Sequence, residues 1–412
     1  MSLTEEGEGL FGTGVTLETV ERQLRRALRT SKSCGQQKSV QRIGESQGFL
    51  SRVGVLDCKW PEGCQLPNKI VIKVCTLLNT IALHKRGGNA AKKVANGDAM
   101  KKEKSTWIAK SEKLRKWHNN EVHFYETCRR LKTVFDFIPK LYCATGFDIE
   151  NEGNGFICME YVDEAICTAV HDNLSKEQVI ETVEKIAQLQ AEMLSSGPAD
   201  LPNLLRVSAY EEMFGDMLQP EVLAFRLDEI RKMGPNVAKA IDRIEKQIDQ
   251  LANVKIVRRC AEKNNMTQIF VHGDLYSPNL MWEKEEDGKL KLKKIIDWQL
   301  CHFGCASEDL CRLIVTSMEK EERRNSWRDI LKQYHSTLHS LVDKQLFTYE
   351  QLCSSFCQLF AVSSLAFIAS VHEMIASSTV NCSSEQTAAR TAAIMDKVTG
   401  LLEDIPQFAH LD

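Results

Sequence analysis

The sequence predicts an α+β chain of two domains, a strand-rich N-terminal domain and a mostly helical C-terminal domain. Three observations indicate this arrangement. Short runs of branched apolar residues separated by turn residues precede residue 163, helical periodicity with capping residues dominates after it, and a single hairpin interrupts the helical part. We therefore place the two domains at residues 1–163 and 164–412.

Size and charge narrow the class of protein. The chain has 412 residues, of which 43% are hydrophobic and 26% charged, so two domains can each have a core. The formal net charge of -3 gives no general attraction to nucleic acid or to anionic lipid. We therefore expect neither nucleic acid nor a membrane as a partner, and the oligomeric state is left open by the sequence.

Cysteine usage and one apolar stretch bear on location. The 15 cysteines never form a C-x-x-C pair and no apolar leader follows Met1, so we expect a cytoplasmic protein with free thiols. Residues 351–371 carry no charge, but serines interrupt them repeatedly. Because a spanning helix needs about 20 predominantly apolar residues, this stretch predicts a buried core helix instead.

The N-terminal domain begins with an amphipathic helix at residues 16–30 and continues as strands, which we predict at residues 40–44, 49–56 and 69–74. Gly44 and Gly48 lie in the turn between the first two strands. Glycines in such a turn let backbone amides approach phosphate oxygens, although most two-glycine turns only connect strands. Both interpretations of this turn stay open.

A lysine on the third predicted strand is the candidate for a phosphate contact. Lys73 is the inward lysine of that run, whereas Lys69 suits an edge position at the strand end. A lysine in this role needs a carboxylate to hold it, and Glu121 or Glu126 on the helix predicted at residues 117–131 could supply one. We prefer Glu121 because it leads the Glu-x-x-Phe-Tyr pattern.

Residues 79–118 are rich in lysine and arginine. A solvated surface insertion is the interpretation we favour, and a basic lid over an anionic ligand is the alternative. Two more strands are predicted at residues 138–142 and 155–159, and the link to the second domain follows. In a two-domain nucleotide enzyme that link presents backbone groups to adenine, which selects the carbonyl of Glu160 and the amide of Val162.

Helix starts in the C-terminal domain are marked by three capping-box pairs, which are Ser175 with Gln178, Thr348 with Gln351, and Ser383 with Gln386. Between the first helices and the last ones lies the most specific motif of the chain, H-G-D-x-x-x-x-N from His272 to Asn279. A hairpin follows it, with an Asp-Gly turn and a strand of alternating residues, and ends at I-D-W with Asp297.

This spacing is the layout that metal-assisted phosphoryl transfer needs. Asp274 would accept the proton of an attacking hydroxyl. Asn279 and Asp297 would hold Mg²⁺ against ATP phosphates, because Mg²⁺ takes one or two protein oxygens together with phosphate and water. Asp309 opens a later helix, where we expect structural support from it and no chemistry.

With these residues in order, the chain resembles the protein-kinase-like phosphotransferases of small molecules, which include choline kinases and aminoglycoside phosphotransferases. The run from Val271 to Trp282 and the I-I-D-W-Q sequence are most similar to the CHK kinase-like family, related to the ecdysteroid kinases. The resemblance implies a small lobe with an antiparallel sheet and one ordering helix, a larger helical lobe, and ATP with Mg²⁺ as cofactors. It assigns the same roles to Asp274, Asn279, Asp297 and Lys73.

Departures from the protein-kinase pattern bear on the substrate. Gly273 stands where protein kinases have Arg, Trp298 and Gln299 follow Asp297 in place of Phe-Gly, and no A-P-E element follows. The expected acceptor is therefore a small molecule with a hydroxyl group, and sterol-like, amino-alcohol and glycoside acceptors all remain possible. The alternatives are a choline or ethanolamine kinase proper and a nucleotide-binding module without turnover. A choline-type kinase needs aromatic residues boxing an ammonium group, and the candidates for it are Tyr210, Phe214, Trp327 and Tyr334.

Overall fold

A computed structural model describes residues 3–44, 50–87, 97–148, 155–196, 201 and 209–410, with the backbone alone at 83–87, 97–104, 196 and 209. The chain divides into two compact units. The first consists of Met1–Glu126 and Pro139–Asp163, and the second of Thr127–Ile138 and Glu164–Asp412. Each unit is compact in its own right, so the division after residue 163 leaves a small unit and a larger one.

The first unit is built on a five-stranded sheet. Its strands are β1 (Ser39–Ile43), β2 (Ser51–Asp57), β3 (Lys69–Cys75), β4 (Leu141–Thr145) and β5 (Phe156–Glu160). They lie in the order β1-β2-β3-β5-β4, and each neighbouring pair is antiparallel. The helices are α1 (Leu17–Ala27), α2 (Leu78–Gly87) and α3 (Gly97–Cys128). An antiparallel sheet with an accompanying helix is the small lobe that the resemblance implied.

Helix α1 is the amphipathic helix predicted from the apolar spacing. The Thr16 hydroxyl accepts a hydrogen bond from the amide of Thr19 and caps its start. Val20 and Leu24, four residues apart and therefore on one face, are fully buried in the apolar cluster that also contains residues of β2, β3 and β5. The helix thus packs on the sheet, as its position before the strands predicted.

Two sequence predictions in the first unit are corrected by the structure. The basic stretch continues from Gly97 as helix α3, which runs for 32 residues without a break. Lysine, glutamate and alanine are strong helix formers, so propensity decides here although no apolar stripe is visible. The predicted strand at residues 138–142 begins later, at Leu141, because Pro139 has no N–H to contribute to a ladder.

The second unit is mostly helical. Its helices are α4 (Lys176–Ser196), α5 (Ala209–Phe214), α6 (Pro220–Arg231), α7 (Pro235–Ile244), α8 (Ile248–Leu251), α9 (Lys255–Lys263), α10 (Ser307–Ser317), α11 (Lys320–Ser340), α12 (Tyr349–Ala369), α13 (Val371–Ser378) and α14 (Ser384–Phe408). The three predicted capping boxes are confirmed at the starts of α4, α12 and α14. The α+β fold class, with a sheet-based first unit and a helical second one, is confirmed.

Short strands in the second unit place the predicted motif. They are β6 (Ile166–Cys167), β7 (Ile269–Val271), β8 (Leu280–Lys284), β9 (Leu290–Ile295) and β10 (His302–Gly304). The predicted hairpin is confirmed as the antiparallel pair β8 and β9, with β6 on its other edge. Strands β7 and β10 form a separate antiparallel pair that the sequence did not predict.

The segment Thr127–Ile138 belongs to the second unit, whereas the sequence analysis placed it in the first domain. The amide of Ile295 donates to the carbonyl of Phe137 at 2.8 Å. The Thr133 hydroxyl donates to Glu192 at 2.9 Å. These bonds attach the segment to the hairpin and to α4. The residues next to the segment in the sequence do not indicate these contacts.

Helix α12 is the uncharged stretch singled out above. Of the described residues, this helix is the one long and apolar enough to span a membrane, and 78% of its most apolar window is buried inside the structure. It packs against α10, α14 and α9. The prediction of a core helix is confirmed, since its apolar surface is covered by protein.

Candidate active site

The motif from His272 to Asn279 leaves β7 and enters β8, and a buried carboxylate holds its first turn. Asp309, 2% exposed at the start of α10, accepts the amides of His272 at 2.7 Å and Gly273 at 2.9 Å. Burial raises the pKa of Asp309, while the two amide donors act in the opposite direction. Asp309 therefore shapes the loop, which is the structural role predicted for it.

Gly273 is required by the shape of this turn. Its φ is +83°, in the left-handed region that side chains avoid, and a Cβ would lie 2.3 Å from the carbonyl oxygen of Leu300. No side chain fits at that separation. The glycine of the motif therefore lets the loop pass directly against the backbone that follows Asp297.

His272 joins the loop to the end of the hairpin. Its Nδ1 accepts the amide of Asp274 at 3.2 Å and its Nε2 donates to the carbonyl of Ile296 at 3.0 Å. A carbonyl can only accept, and an amide N–H can only donate, so these partners select the neutral imidazole with its proton on Nε2. The ring is fully buried and thus sets the spacing between Asp274 and the residue before Asp297.

Asn279 and Asp297 come together through the register of the hairpin. Leu280 pairs with Ile295, and the amide of the next residue, Ile296, donates to the carbonyl of Asn279 at 2.9 Å. The side-chain Nδ2 of Asn279 donates to the backbone carbonyl of Asp274 at 2.9 Å. Asn279 is therefore hydrogen-bonded both to the end of the hairpin, at Ile296, and to the loop, at Asp274. Its side-chain oxygen, Oδ1, is the atom that could face a cation.

Asp297 has an unusual backbone. It adopts the left-handed conformation, with φ 66° and ψ 58°, which is uncommon for a residue with a side chain and recurs at functional positions. The Gln299 amide nitrogen lies 3.4 Å from its Oδ2. The strained turn directs the chain away from β9 immediately after the carboxylate.

Asp274 is nearly buried and is paired with an arginine. Its side chain is 11% exposed, and its Oδ1 accepts a hydrogen bond from Nε of Arg312 on α10 at 2.9 Å. The guanidinium carbon of Arg312 lies 4.7 Å from the centre of the Tyr276 ring and 5.1 Å from that of Phe214. The base candidate is thus held by a cation that is itself stacked between two aromatic rings.

The Tyr276 phenol is influenced by both carboxylates of the motif. Burial raises the pKa of the Tyr276 phenol, and the carboxylates of Asp274 and Asp297 raise it further, while Arg312 acts in the opposite direction. A single hydroxyl therefore senses both carboxylates of the motif. The structure gathers Asp274, Asn279 and Asp297 in one place, as their spacing predicted.

The oxygen donors in this place suit Mg²⁺ bound together with a nucleotide. Among the described residues, no group of three or more His, Cys, Asp or Glu side chains forms a metal cage. Magnesium does not need one, because phosphate and water oxygens complete its octahedron. One carboxylate from Asp297 and one amide oxygen from Asn279 are the donor types it takes.

In the first unit, Lys73 and Glu121 form a buried ion pair. Lys73 lies on β3 opposite Val53 of β2 and Ile157 of β5, so it is in the middle of the sheet. Its Nζ is 2.6 Å from Oε2 of Glu121, with the two side chains 12% and 1% exposed. Glu126 is exposed instead, so the pairing alternative resolves in favour of Glu121.

The remaining predicted nucleotide contacts are less constrained. Gly44 follows β1 with φ +64°, and among the described residues no atom lies within 4 Å of a built Cβ there, while Gly48 lies outside the described residues. Glu160 is the last residue of β5, and Val162 follows two positions later. Lys69 pairs with Asp163 at 3.8 Å and lies over the Tyr161 ring at 4.9 Å, as expected of the edge lysine.

Comparison with known proteins places the chain in a family. A protein-family model described as DUF1679, Uncharacterized oxidoreductase dhs-27, matches residues 3–411. The chain belongs to this family. The DUF1679 match extends over both structural units and includes every site residue described above.

Relatives of this DUF1679 chain come from Caenorhabditis elegans. Uncharacterized kinase-like protein D1044.1 is 23% identical over 302 residues, covering 71% of this chain and 77% of the relative. Uncharacterized oxidoreductase dhs-27 is 24% identical over 236 residues, covering 55% of this chain but 27% of the relative. Among solved structures, choline kinase from Cryptosporidium parvum Iowa II matches 90% of each chain at 13% identity, with a TM-score of 0.44.

Sequence reasoning missed Arg312 in this DUF1679 protein. A signal for it was present, because an arginine in the apolar run Leu310 to Leu313 predicts a buried cation, and a buried cation requires a partner. Which partner it has depends on how α10 docks, since Arg312 lies 38 residues beyond Asp274. The structure therefore adds a fourth side chain to the motif.

Proposed function

We propose that this protein is an ATP-dependent phosphotransferase that moves the γ-phosphoryl group to a hydroxyl of a small molecule. The observation that carries the proposal is the hydrogen-bond network joining Asp274, Asn279 and the residue before Asp297. A proton acceptor and two oxygen donors for a divalent cation are the side chains this reaction uses. The kinase-like name of the first C. elegans relative agrees with the proposal.

In the transfer step the acceptor oxygen forms a bond to the γ-phosphorus as the bond to the β–γ bridging oxygen breaks. The hydroxyl proton passes to Asp274, and ADP leaves with the bridging oxygen. Arg312 occupies Oδ1 of Asp274, so Oδ2 is the oxygen that takes the proton. Asn279 and Asp297 would hold Mg²⁺, which neutralises phosphate charge when it is bound.

Residues of the first unit would bind the nucleotide. Lys73 contacts the α- and β-phosphates, and Glu121 keeps its ammonium group in place through the 2.6 Å ion pair. The turn containing Gly44 and Gly48 covers the phosphates through its amides, and the backbone of Glu160–Val162 meets the adenine edge. Catalysis then consists mainly of positioning and charge neutralisation.

The oxidoreductase name of the second relative suggests a rival function. Dinucleotide-binding folds of the Rossmann type use a parallel sheet with a glycine-rich turn between strand and helix. The described strands of this chain's five-stranded sheet are all antiparallel. This chain matches 27% of that relative's length, so the name does not transfer to the matched part.

All 15 cysteines of the chain are free thiols, and we place the protein in the reducing cytoplasm on that basis.

A nucleotide-binding module without turnover stays as the second candidate function. Every contact proposed above would also serve nucleotide binding without phosphoryl transfer.

Calorimetry and an ADP-release assay test the proposal. We expect ATP to bind with Mg²⁺ and to bind at least about tenfold more weakly with a chelator. Asp274→Asn should bind Mg²⁺-ATP while its turnover, with water or a screened alcohol as acceptor, falls about 10²- to 10⁴-fold. Asp287→Asn is the matched control, because this carboxylate lies in the exposed turn of the same hairpin region.

If ATP binds with the same affinity in the presence and absence of Mg²⁺, the assignment of Asn279 and Asp297 as metal ligands is wrong. Metal-dependent binding without any ADP release, in wild type as in the Asp274 variant, would establish the silent module instead.

A further inference from the structure

Arg312 keeps a buried, unpaired donor beside the base candidate. The buried Arg323 donates to Oδ2 of Asp404 from both Nε at 3.2 Å and Nη2 at 2.7 Å, and its Nη1 is likewise buried without a partner, but no residue of the motif lies among its bonds. Arg312 gives Asp274 its Nε alone. Among the described residues its Nη1 is buried without a hydrogen-bond partner, although the side chain is 95% covered.

An unpaired buried donor on a cation is costly, and what distinguishes the one on Arg312 is its place beside Asp274. The donor lies on the same guanidinium that binds the base candidate, so an acceptor that brings its hydroxyl to Asp274 also comes near Arg312. The Tyr276 ring lies over this guanidinium and is half-buried. It is the cover that must shift for a ligand oxygen to enter.

The aromatic rings around Asp274 are already engaged. The Arg312 guanidinium lies against the rings of Tyr276 and Phe214. The Phe214 ring also packs against the Tyr210 ring, with the two ring centres 4.7 Å apart. Recognition of an alkylammonium group needs open aromatic faces. The two rings nearest to the base therefore serve a cation that the protein supplies itself.

The other aromatic candidates for an ammonium box lie elsewhere in the second unit. Trp327 stacks on Phe356 with ring centres 5.1 Å apart, and the Tyr334 hydroxyl donates to Gln190 at 2.6 Å. Both side chains are buried, at 6% and 1% exposure. Neither Trp327 nor Tyr334 therefore presents an open aromatic face to an ammonium group.

We infer that Arg312 is a specificity-determining residue that donates a hydrogen bond to a second oxygen of the acceptor, so that the acceptor is a neutral or anionic molecule with an oxygen near its reacting hydroxyl. This inference rests on the proposed phosphotransferase function. A vicinal diol, a hydroxy ketone or a hydroxy acid fits the arrangement. An amino alcohol would bring its ammonium group against the guanidinium, where like charges repel.

The transfer chemistry itself is unchanged by this contact. The reacting hydroxyl still gives its proton to Oδ2 of Asp274, the new bond still forms between its oxygen and the γ-phosphorus, and ADP still departs. Besides holding Asp274, Arg312 selects which hydroxyl compounds reach that position and in which orientation.

Three probes of one ring size test the inference: cyclohexanol, the vicinal diol of cyclohexane, and the corresponding vicinal amino alcohol. Acceptor-dependent ADP release by the full chain gives kcat/KM for each. We expect the diol to exceed cyclohexanol by about tenfold to hundredfold, the range for a hydrogen bond from a charged group, and the amino alcohol to fall below cyclohexanol. A preference for the amino alcohol, equal values for diol and cyclohexanol, or no response to any probe overturns the inference.

Variants of Arg312 then assign the preference to this residue. Arg312→Met should lower the turnover of both acceptors because Asp274 loses its partner, and should bring kcat/KM for the diol down to that for cyclohexanol with KM for ATP unchanged. Arg312→Lys should restore part of the difference between the two acceptors because it keeps the charge but not the fork. An unchanged diol preference in a folded Arg312→Met protein, judged by a cooperative thermal transition, contradicts the assignment. If the variant does not fold, the wild-type ranking of the three probes still decides.

The two proposals fail in different ways. Absence of Mg²⁺-dependent ATP binding in the wild type removes the phosphotransferase function. Intact Mg²⁺-ATP binding with the wrong ranking of probes removes only the role of Arg312.

Discussion

Gly273→Ala is the substitution whose effect can be worked out most directly from the structure. The new Cβ would meet the Leu300 carbonyl oxygen at 2.3 Å, where atoms closer than 3.0 Å essentially never occur. The loop must therefore move by roughly 1 Å, and it carries Asp274 with it. A misplacement of about 1 Å at a reacting group lowers turnover by about 10²-fold.

The same substitution lowers stability through two separate effects. A side chain at φ +83° costs about 1–2 kcal/mol, and overpacking against a fixed backbone adds about 1–3 kcal/mol. We therefore expect the free energy of unfolding to fall by about 2–5 kcal/mol. Urea unfolding measures this value, and ADP release measures the loss of turnover.

Gly288→Ala separates the two effects. Gly288 has nearly the same φ, +86°, but the nearest atom to a built Cβ is Lys284 Cε at 3.9 Å. This variant should lose only the backbone contribution of about 1–2 kcal/mol and keep wild-type turnover, because the turn lies at the far end of the hairpin from Asp297. If both variants unfold alike and both keep full activity, the close approach of Gly273 to Leu300 does not position the base.

Three further substitutions test other parts of the structure. Lys73→Met should weaken ATP binding about tenfold or more in calorimetry because a desolvated phosphate contact is lost, whereas Lys69→Met, at the exposed end of the same strand, should leave it within twofold; equal losses would contradict the choice of lysine. Burial lowers the pKa of His118 to about 4, so between pH 6.5 and 4 this histidine is protonated in the unfolded chain but neutral in the folded chain. The free energy of unfolding should therefore fall by up to about 3 kcal/mol as the pH is lowered through this range. In urea titrations at several pH values, His118→Gln should lack this pH-dependent loss. Lys397→Met removes the donor to three buried carbonyls, those of Val170, Asp172 and Thr316, and should lower the unfolding free energy by about 2 kcal/mol, against a change within about 0.5 kcal/mol for the surface control Lys320→Met.

Sequence reasoning succeeded where a residue's environment is set by its near neighbours. The proximity of Asn279 and Asp297 was predicted because the hairpin between them is legible from an Asp-Gly turn and alternating residues, and its register then fixes their separation. The three capping boxes were found because each pair is bonded within one helical turn. The partner of Lys73 was narrowed to Glu121 or Glu126 with Glu121 preferred, and the structure supports that choice; deciding between them required the rotation of α3 about its axis.

Sequence reasoning failed where distant segments meet. Thr127–Ile138 was assigned to the wrong unit because its bonds go to residues more than 50 positions away, such as Glu192. The helix through the basic stretch was missed for a different reason: a surface helix stabilised by propensity shows no apolar stripe. Arg312 combines both difficulties, since its burial was visible in the sequence but its partner was not.

The site depends on a helix that lies outside the recognisable motif. Asp309 and Arg312 are three residues apart on α10 and therefore on one face. The first holds the turn through the amides of His272 and Gly273, and the second holds the side chain of Asp274. A displacement of α10 would consequently move the loop and Asp274 together, so the geometry of this carboxylate is set by how the helix packs on α12 and α11 as much as by the motif's own residues. A chain that kept the H-G-D motif but lost Asp309 and Arg312 would thus retain the loop sequence without the contacts that orient Asp274.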